Sequence, residues 1–333
     1  MSQKKKRIAL FLGGTSPEKE VSKSSAKSIY AALKNLGYEV NLINPAYGEN
    51  QPENADAFFA KEEFTEISNR NYVKTVNSNL LDNVDLVFLG LHGKWGEDGT
   101  IQSLLELRGL KYSGSKVLSS AMSMDKDMSK ILFKHYGIPT PKWFSVVGSE
   151  IDKIAIAKRI EEEISFPCVI KPNDQGSTVG LTICEDKDSI VPAIELALKY
   201  SNKAMFEEFI SGREMTVAIL DDKSLPVLEV RPKHSVYDYE CKYTTGMSEY
   251  FVPAEIPEKV FKNLQEQALL AHKCLECEVY SRVDFMLTEN NEYFCLEVNT
   301  LPGMTSTSLV PKMAKAAGIS FEELVEKIVE LSL

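Results

Sequence analysis

The segment 293–308, YFCLEVNTLPGMTSTS, constrains this chain more than any other. Tyr293, Phe294, Cys295, Leu296 and Val298 favour a strand. Glu297 and Asn299 are two residues apart, so both side chains leave the same face. A carboxylate on an otherwise apolar strand requires a partner, because an unpaired buried charge is costly. Pro302-Gly303 marks a turn. Thr305, Ser306, Thr307 and Ser308 follow, hydroxyls suited to a helix start and to an anion. Just upstream, the segment 281–287 alternates Arg282 and Asp284 with Val283, Phe285 and Leu287. The link 288–292 is short and polar, so the two strands are expected to form an antiparallel hairpin. Asp284, Glu297 and Asn299 then share a face, with Arg282 beside them. Two carboxylates and an amide oxygen suit Mg²⁺, a hard ion that keeps few protein ligands and completes its shell with phosphate oxygens. Arg282 could hold phosphate or developing negative charge. The alternative is a surface hairpin with solvated charges; the shared face and the hydroxyl-rich turn favour the metal.

A length of 333 residues exceeds one ordinary core and implies two or three domains. The net charge of -10 argues against a general nucleic-acid binder. The basic run at residues 4–7 reads as a solvated tail. No apolar run approaches a membrane span, and Gly13-Gly14 cuts Leu10–Leu12 off too soon for a secretory signal. A cytoplasmic protein with reduced cysteines is expected. Cys274 and Cys277 have C-x-x-C spacing, but no second pair completes a zinc site, and they read as ordinary thiols.

The chain opens β-α-β: a strand at 8–12, a helix over 21–36 and a strand at 38–43, as in doubly wound sheets. Gly13-Gly14-Thr15-Ser16 is not G-x-G-x-x-G, so a dinucleotide site is weakly supported. Glu18 and Glu20 either complement the helix dipole or face the ligand crevice at the strand ends. Residues 47–80 lack pattern and read as a variable insertion with a short helix. A strong apolar strand, 84–91, runs into His92 and a glycine-rich loop. His92 is either structural or a donor to a ligand. A helix at 126–136 leads to a Gly-Pro linker and then an α+β module over 143–209. Its loop, Lys171 to Gly180, places a lysine at a strand end before small residues. Backbone N–H groups there could cradle phosphates with Lys171 supplying charge, or the loop is an ordinary hairpin with a snorkelling lysine. Residues 234–253 form a long irregular run, of the kind that often makes a lid.

These pieces resemble the ATP-grasp superfamily and, within it, the D-alanine–D-alanine ligases. The resemblance rests on GGTSPEKEVS (13–22), LHGKWGEDGTIQSLLE (91–106), YSGS (112–115), SMDK (123–126), VIKPNDQGSTVG (169–180), YDYECKY (237–243), SRVDF (281–285) and LEVNTLPGMTSTSLVP (296–311). It implies an ATP-grasp fold, α/β and α+β, with an N-terminal doubly wound domain at 1–120, a central domain at 121–210 and a C-terminal domain at 211–333 carrying a lid at 234–253. It implies ATP and two Mg²⁺ ions, with Mn²⁺ as a substitute, D-alanine as substrate, and a homodimer. Lys126 and Lys171 would bind ATP phosphates, and Lys242 the γ-phosphate. Glu207 and Glu214 would hold the adenine and ribose ends, with Glu208 where many relatives carry lysine. Asp284, Glu297 and Asn299 would hold the metal ions. Glu18 would grip the first D-alanine's amino group, joined by Ser177 and Tyr243. Ser308 would bind the second carboxylate, His92 would lie near the reacting groups, and Arg282 with the N–H of Gly303 would stabilise the tetrahedral intermediate.

Ser103 and Thr178 replace a glycine and a serine common among relatives. Tyr243, where makers of the D-alanyl–D-lactate ester often carry phenylalanine, favours a dipeptide product. The competing readings are a depsipeptide or other ATP-grasp ligase, a nucleotide-binding regulator without turnover, and a dinucleotide oxidoreductase. The intact acidic set, Arg282 and both lysines oppose the regulator. The missing G-x-G-x-x-G opposes the oxidoreductase.

Overall fold

The computed structural model describes residues 6–233, 246–305 and 307–333. The chain starts with β1 (Arg7–Phe11), α1 (Lys19–Asn35), β2 (Glu39–Ile43), α2 (Ala55–Phe59), α3 (Arg70–Asn77), β3 (Leu86–Leu89) and α4 (Thr100–Arg108). The three strands form a parallel sheet in the order β2-β1-β3. β1 and β3 are almost wholly apolar, as a strand covered on both faces must be. The expected loose insertion contains two helices. Tyr72 and Val76, four apart on α3, are buried in the first core. Only one narrow face of α3 is apolar, which is why its pattern is faint in the sequence.

Two helices follow, α5 (Val117–Met124) and α6 (Lys126–His135). The first, rich in serine, was not anticipated. The Asp125 side chain caps α6 by accepting from the N–H of Met128. Next come β4 (Trp143–Val147), α7 (Lys153–Glu163), β5 (Cys168–Pro172), β6 (Thr182–Cys184), α8 (Ile190–Leu198) and β7 (Lys203–Glu208). Their antiparallel sheet runs β4-β7-β5-β6 over a core that includes Phe144, Ile160, Ile170, Ile194 and Phe206.

The remainder comprises β8 (Arg213–Leu220), β9 (Lys223–Ser224), β10 (Leu228–Pro232), β11 (Ser248–Phe251), α9 (Glu258–Cys274), β12 (Tyr280–Leu287), β13 (Tyr293–Asn299), α10 (Leu309–Ala316) and α11 (Phe321–Ser332). The sheet is antiparallel, in the order β11-β10-β8-β12-β13, with β9 on β8. Part of the run expected to be irregular is therefore a strand: β11 pairs with β10, Tyr250 opposite Val230. Residues 234–245 lie outside the described residues. The second core joins Val217, Val283 and Phe285 to Leu264 and Ala268 of α9, and takes in Phe133 and Ile138 from the end of α6 and the turn beyond it. A capping box between Ser320 and Glu323 starts α11, whose Leu324, Val325, Ile328 and Val329 return to the first core. The last helix thus closes on the first sheet.

The described cysteines are free and buried. Burial pushes the Cys274 thiol up to about 12 and Cys277 to about 11, so both stay protonated and unreactive, as ordinary thiols do.

Candidate active site

β12 and β13 form the expected hairpin, with Arg282 opposite Asn299 and Asp284 opposite Glu297. Alternation along β12 sends Val283, Phe285 and Leu287 into the second core and leaves Asp284 and Met286 facing a cavity. The register then slips: Phe285 faces Cys295, and Leu296 is an extra residue. This bulge lets adjacent Leu296 and Glu297 both line the cavity while Cys295 and Val298 both stay in the core. An apolar wall and a carboxylate therefore come from consecutive residues.

That cavity, of about 720 Å³, lies between the four-stranded and six-stranded sheets. Val169 and Ile183 line it from one sheet, Met286 and Leu296 from the other, a slot suited to a flat aromatic ring. Lys126, Lys171, Glu207, Glu208, Glu214, Asp284 and Glu297 line it too. Seven of the expected nucleotide and metal residues thus meet around one space. Lys242 and Tyr243 lie outside the described residues.

The charges in the cavity are paired. Lys126 Nζ lies 3.0 Å from Glu297 Oε2 and donates to the carbonyl of Gln175 at 2.7 Å. Burial works against the Lys126 charge, but Glu297 beside it outweighs that and raises its pKa. Lys171 Nζ donates to both Glu207 oxygens, at 2.9 and 2.7 Å. Burial opposes ionisation of Glu207, yet the Lys130 and Lys171 ammonium groups hold its pKa below the ordinary value. Glu208 accepts from the backbone N–H of Lys142 at 3.2 Å. Arg282 grips Asp284 through two bonds of 2.9 and 2.7 Å, and Thr216 Oγ1 and Asn299 Nδ2 also donate to Asp284, at 2.7 and 3.0 Å.

Among the described residues no group of three or more histidine, cysteine and acidic side chains is placed to hold a metal. Asp284 and Glu297 nevertheless fit the hard-cation reading. They are two carboxylates facing one cavity, now balanced by Arg282 and Lys126, and a nucleotide's phosphates would supply the missing oxygens.

A second cavity, of about 410 Å³, shares Gly176, Ser177 and Glu297 with the first. Glu18, His92, Arg282, Gly303 and Ser308 line it. Glu18 is buried, and Ser177 Oγ donates to its carboxylate. Ser177 and Thr178 hold positive φ, +48° and +64°, so the loop is strained where it meets Glu18. Gly93, at φ +70°, has no room for a side chain: a Cβ there would lie 2.6 Å from Glu18 Oε2. Both ring nitrogens of His92 are engaged. Nδ1–H donates to the carbonyl of Leu301 at 2.9 Å, Nε2 accepts from Ser25 Oγ at 3.0 Å, and Ser25 Oγ in turn accepts from the N–H of Met304. Burial lowers the His92 pKa, so the ring is neutral. It fastens the turn that carries Gly303. Ser308 Oγ accepts from the N–H of Thr305 at 3.0 Å, and a Cβ on Gly303 would sit 2.9 Å from that oxygen.

Three features escaped the sequence reading. Glu97 stands partly buried beside Glu18 and accepts from the N–H of Gly93 at 2.7 Å and of Leu301 at 3.2 Å; desolvation and the charge of Glu18 push its carboxyl up to about 8. Its loop stood out for glycines, but its contact with Leu301, 204 residues away, left no local trace. Glu229, on the first cavity's wall, is clamped by Arg213 and Arg231. Lys130 is fully buried behind Glu207; its spacing of four from Lys126 on one helix was the available signal.

Comparison with known proteins gives a consistent result. The family model for the D-ala D-ala ligase N-terminus matches residues 7–115, and that for the D-ala D-ala ligase C-terminus matches residues 132–330. A D-alanine–D-alanine ligase of Halalkalibacterium halodurans is 42% identical over 332 residues, covering 98% of this chain and 99% of its own length. The D-alanine–D-alanine ligase from Bacillus anthracis complexed with ATP superposes with a TM-score of 0.78 at 33% identity, over 99% of this chain and 97% of that one. The VanG D-Ala:D-Ser ligase from Enterococcus faecalis gives a TM-score of 0.83 at 32% identity, over 99% and 100%.

Proposed function

The chain belongs to the D-alanine–D-alanine ligase family, and on that premise we propose that it joins two D-alanine molecules into D-alanyl-D-alanine, cleaving ATP to ADP and phosphate, for peptidoglycan precursor synthesis. Its fold is the ATP-grasp fold with an N-terminal doubly wound domain. The observation that carries the reading is the meeting of the two cavities at Ser177 and Glu297: a nucleotide-sized slot rich in lysine and carboxylate opens into a smaller polar space. We divide the chain at 1–120, 121–210 and 211–333, with Phe133 of α6 packed across the second boundary.

A carboxylate is a poor electrophile, so the first D-alanine is activated as an acyl phosphate, which the amine of the second attacks as phosphate leaves. The chain's part is to position groups and neutralise charge. Glu18, oriented by Ser177 and assisted by Tyr243, receives the ammonium of the first D-alanine. Lys126, Lys171 and Lys242 receive the phosphates; Glu207, Glu208 and Glu214 border the adenine and ribose. Asp284, Glu297 and Asn299 hold the divalent cations. We propose two Mg²⁺, replaceable by Mn²⁺, and when bound they supply positive charge against the phosphates. Ser308 receives the carboxylate of the second D-alanine. Arg282 and the N–H of Gly303 face the oxyanion of the tetrahedral intermediate, and His92 supports them by holding the turn. The acyl phosphate hydrolyses readily, which gives the segment 234–253 its role as a lid.

If the carboxylate is activated this way, D-alanine labelled with ¹⁸O in its carboxylate passes one labelled oxygen to the released phosphate. Unlabelled phosphate contradicts the acyl-phosphate route. The likeness to the D-Ala:D-Ser ligase favours one second reading, in which D-serine replaces the second D-alanine. Equimolar D-alanine and D-serine, with D-lactate as a further competitor, decide it by product mass.

No helix among the described residues is long and apolar enough to cross a membrane, and we propose that the enzyme works in the cytoplasm. We further propose a homodimer, supported by exposed Val73, Leu107 and Leu118 on α3, α4 and α5; sedimentation at monomer mass would refute it.

A further inference from the structure

Lys130 is a buried charge beside the nucleotide cavity that the proposed chemistry leaves without a task. It sits four residues after Lys126 on α6, so both side chains leave the same helix face. Their surroundings differ. Lys126 and Lys171 line the cavity and can reach a bound phosphate; Lys130 is 0% exposed and lies behind it. Its ammonium donates to Thr140 Oγ1 at 2.6 Å and to the carbonyl of Pro141 at 3.5 Å, lies 3.4 Å from Glu207 Oε2, and stands 5.4 Å over the Trp143 ring. Among the described residues two ammonium groups lie within ion-pair distance of Glu207: Lys171 at 2.7 Å on the cavity side and Lys130 at 3.4 Å on the core side.

This asymmetry has a consequence for loading. Lys171 is bound to Glu207 through both carboxylate oxygens. An ammonium carries three N–H groups, so a phosphate that draws Lys171 toward itself competes with Glu207 for its charge. A buried carboxylate stripped of its only cation is strongly unfavourable, so Lys171 would be held back if it were alone. With Lys130 in place, Glu207 keeps a partner throughout. Lys130 itself is pressed by burial to a pKa of about 8, with Glu207 opposing that shift, so the two buried charges depend on each other.

We propose that Lys130 is a positioning residue for nucleotide binding: it is the permanent counter-ion of Glu207, and it allows Lys171 to pass from Glu207 to the nucleotide's phosphate. The inference rests on the nucleotide reading of this cavity. Glu207 is then a docking carboxylate that presets Lys171, in addition to bordering the base.

The test is a double-mutant cycle on the dissociation constant of MgADP, measured by calorimetry on the full chain, with thermal unfolding recorded for each variant. Lys130→Met keeps the side chain's length and removes its charge. It should weaken MgADP by at least about tenfold, because Lys171 becomes the sole partner of Glu207. Lys130→Arg, which restores the charge, should recover most of that loss. In the Glu207→Gln background the dock no longer exists, so adding Lys130→Met should leave affinity within about threefold or tighten it. This arm holds even if Lys130→Met alone fails to fold, since the double variant removes the buried pair as a unit. A further tenfold loss in the Glu207→Gln background, or an unchanged affinity for folded Lys130→Met, overturns the inference while leaving the nucleotide reading intact. Failure of the unsubstituted chain to bind MgADP overturns both.

Discussion

Lys126 Nζ lies 3.0 Å from Glu297 Oε2, so the start of α6 and the bulge of β13 share one ion pair in the cavity. Each thus neutralises the other's charge at the cavity wall. Glu297→Gln should lower turnover by about a hundredfold or more, because it removes charge from the metal set. Unfolding should stay cooperative, since Glu297 is not a core residue. Steady-state turnover beside a melting curve checks this, and surviving turnover would contradict the metal assignment.

Asp284 is oriented from behind. Thr216 Oγ1 donates to Asp284 Oδ1 at 2.7 Å from the neighbouring strand. Thr216→Val removes that bond without touching any group that meets substrate. The Mg²⁺ concentration for half-maximal turnover should rise by about tenfold, as expected when a ligand loses its supporting bond. A Mg²⁺ titration at saturating ATP reads it out; an unchanged requirement would show that Arg282 and Asn299 suffice.

Gly93 leaves Glu18 its space. With φ at +70° and a hypothetical Cβ 2.6 Å from Glu18 Oε2, Gly93→Ala is both strained and obstructive. It should cost about 1–3 kcal/mol of stability. The KM for D-alanine at the first position should rise more than the KM for ATP, because the obstruction falls on Glu18 and not on the nucleotide cavity. Equal rises in both would contradict the placement of Glu18.

The Arg213–Glu229–Arg231 clamp gives a pH signature. Burial alone would raise the Glu229 carboxyl, but the two guanidinium groups hold it down to about 2, from an ordinary 4.5. A carboxyl with a depressed folded-state pKa stabilises the fold fully above its unfolded value and loses that effect as pH falls through the folded value. The stability difference between the unsubstituted chain and Glu229→Gln should therefore be constant above about pH 5 and shrink from there toward pH 2. Denaturant midpoints across that range test the direction.

Much of the site was legible because its signals are local. Arg282 and Asp284 alternate with apolar neighbours on one strand, and Glu297 and Asn299 do so on the next, so a period of two was enough to put them on one face. The bulge at Leu296 was not legible. It changes which face Leu296 takes, and nothing in the residue types of β13 marks it. Lys130 and Glu97 stayed hidden for a related reason: what makes each notable is a partner far along the chain, Glu207 for one and Leu301 for the other. The helix α5 went unread because its buried face is built from serine, which carries little hydrophobic periodicity, and in 47–80 one short helix was expected where α2 and α3 stand, because the buried face of α3 is narrow. The β-α-β opening and the module from β4 to β7 have strong apolar runs, and those were read correctly.

The most direct measurement is ADP release from ATP and Mg²⁺ with D-alanine as sole amino acid, with L-alanine as control and the product weighed by mass spectrometry. ADP released with D-alanine and not with L-alanine, together with the mass of D-alanyl-D-alanine, is the predicted result. Clear MgATP binding with no ADP release and no dipeptide would contradict it, leaving the fold and the nucleotide cavity in place but removing D-alanine as the substrate.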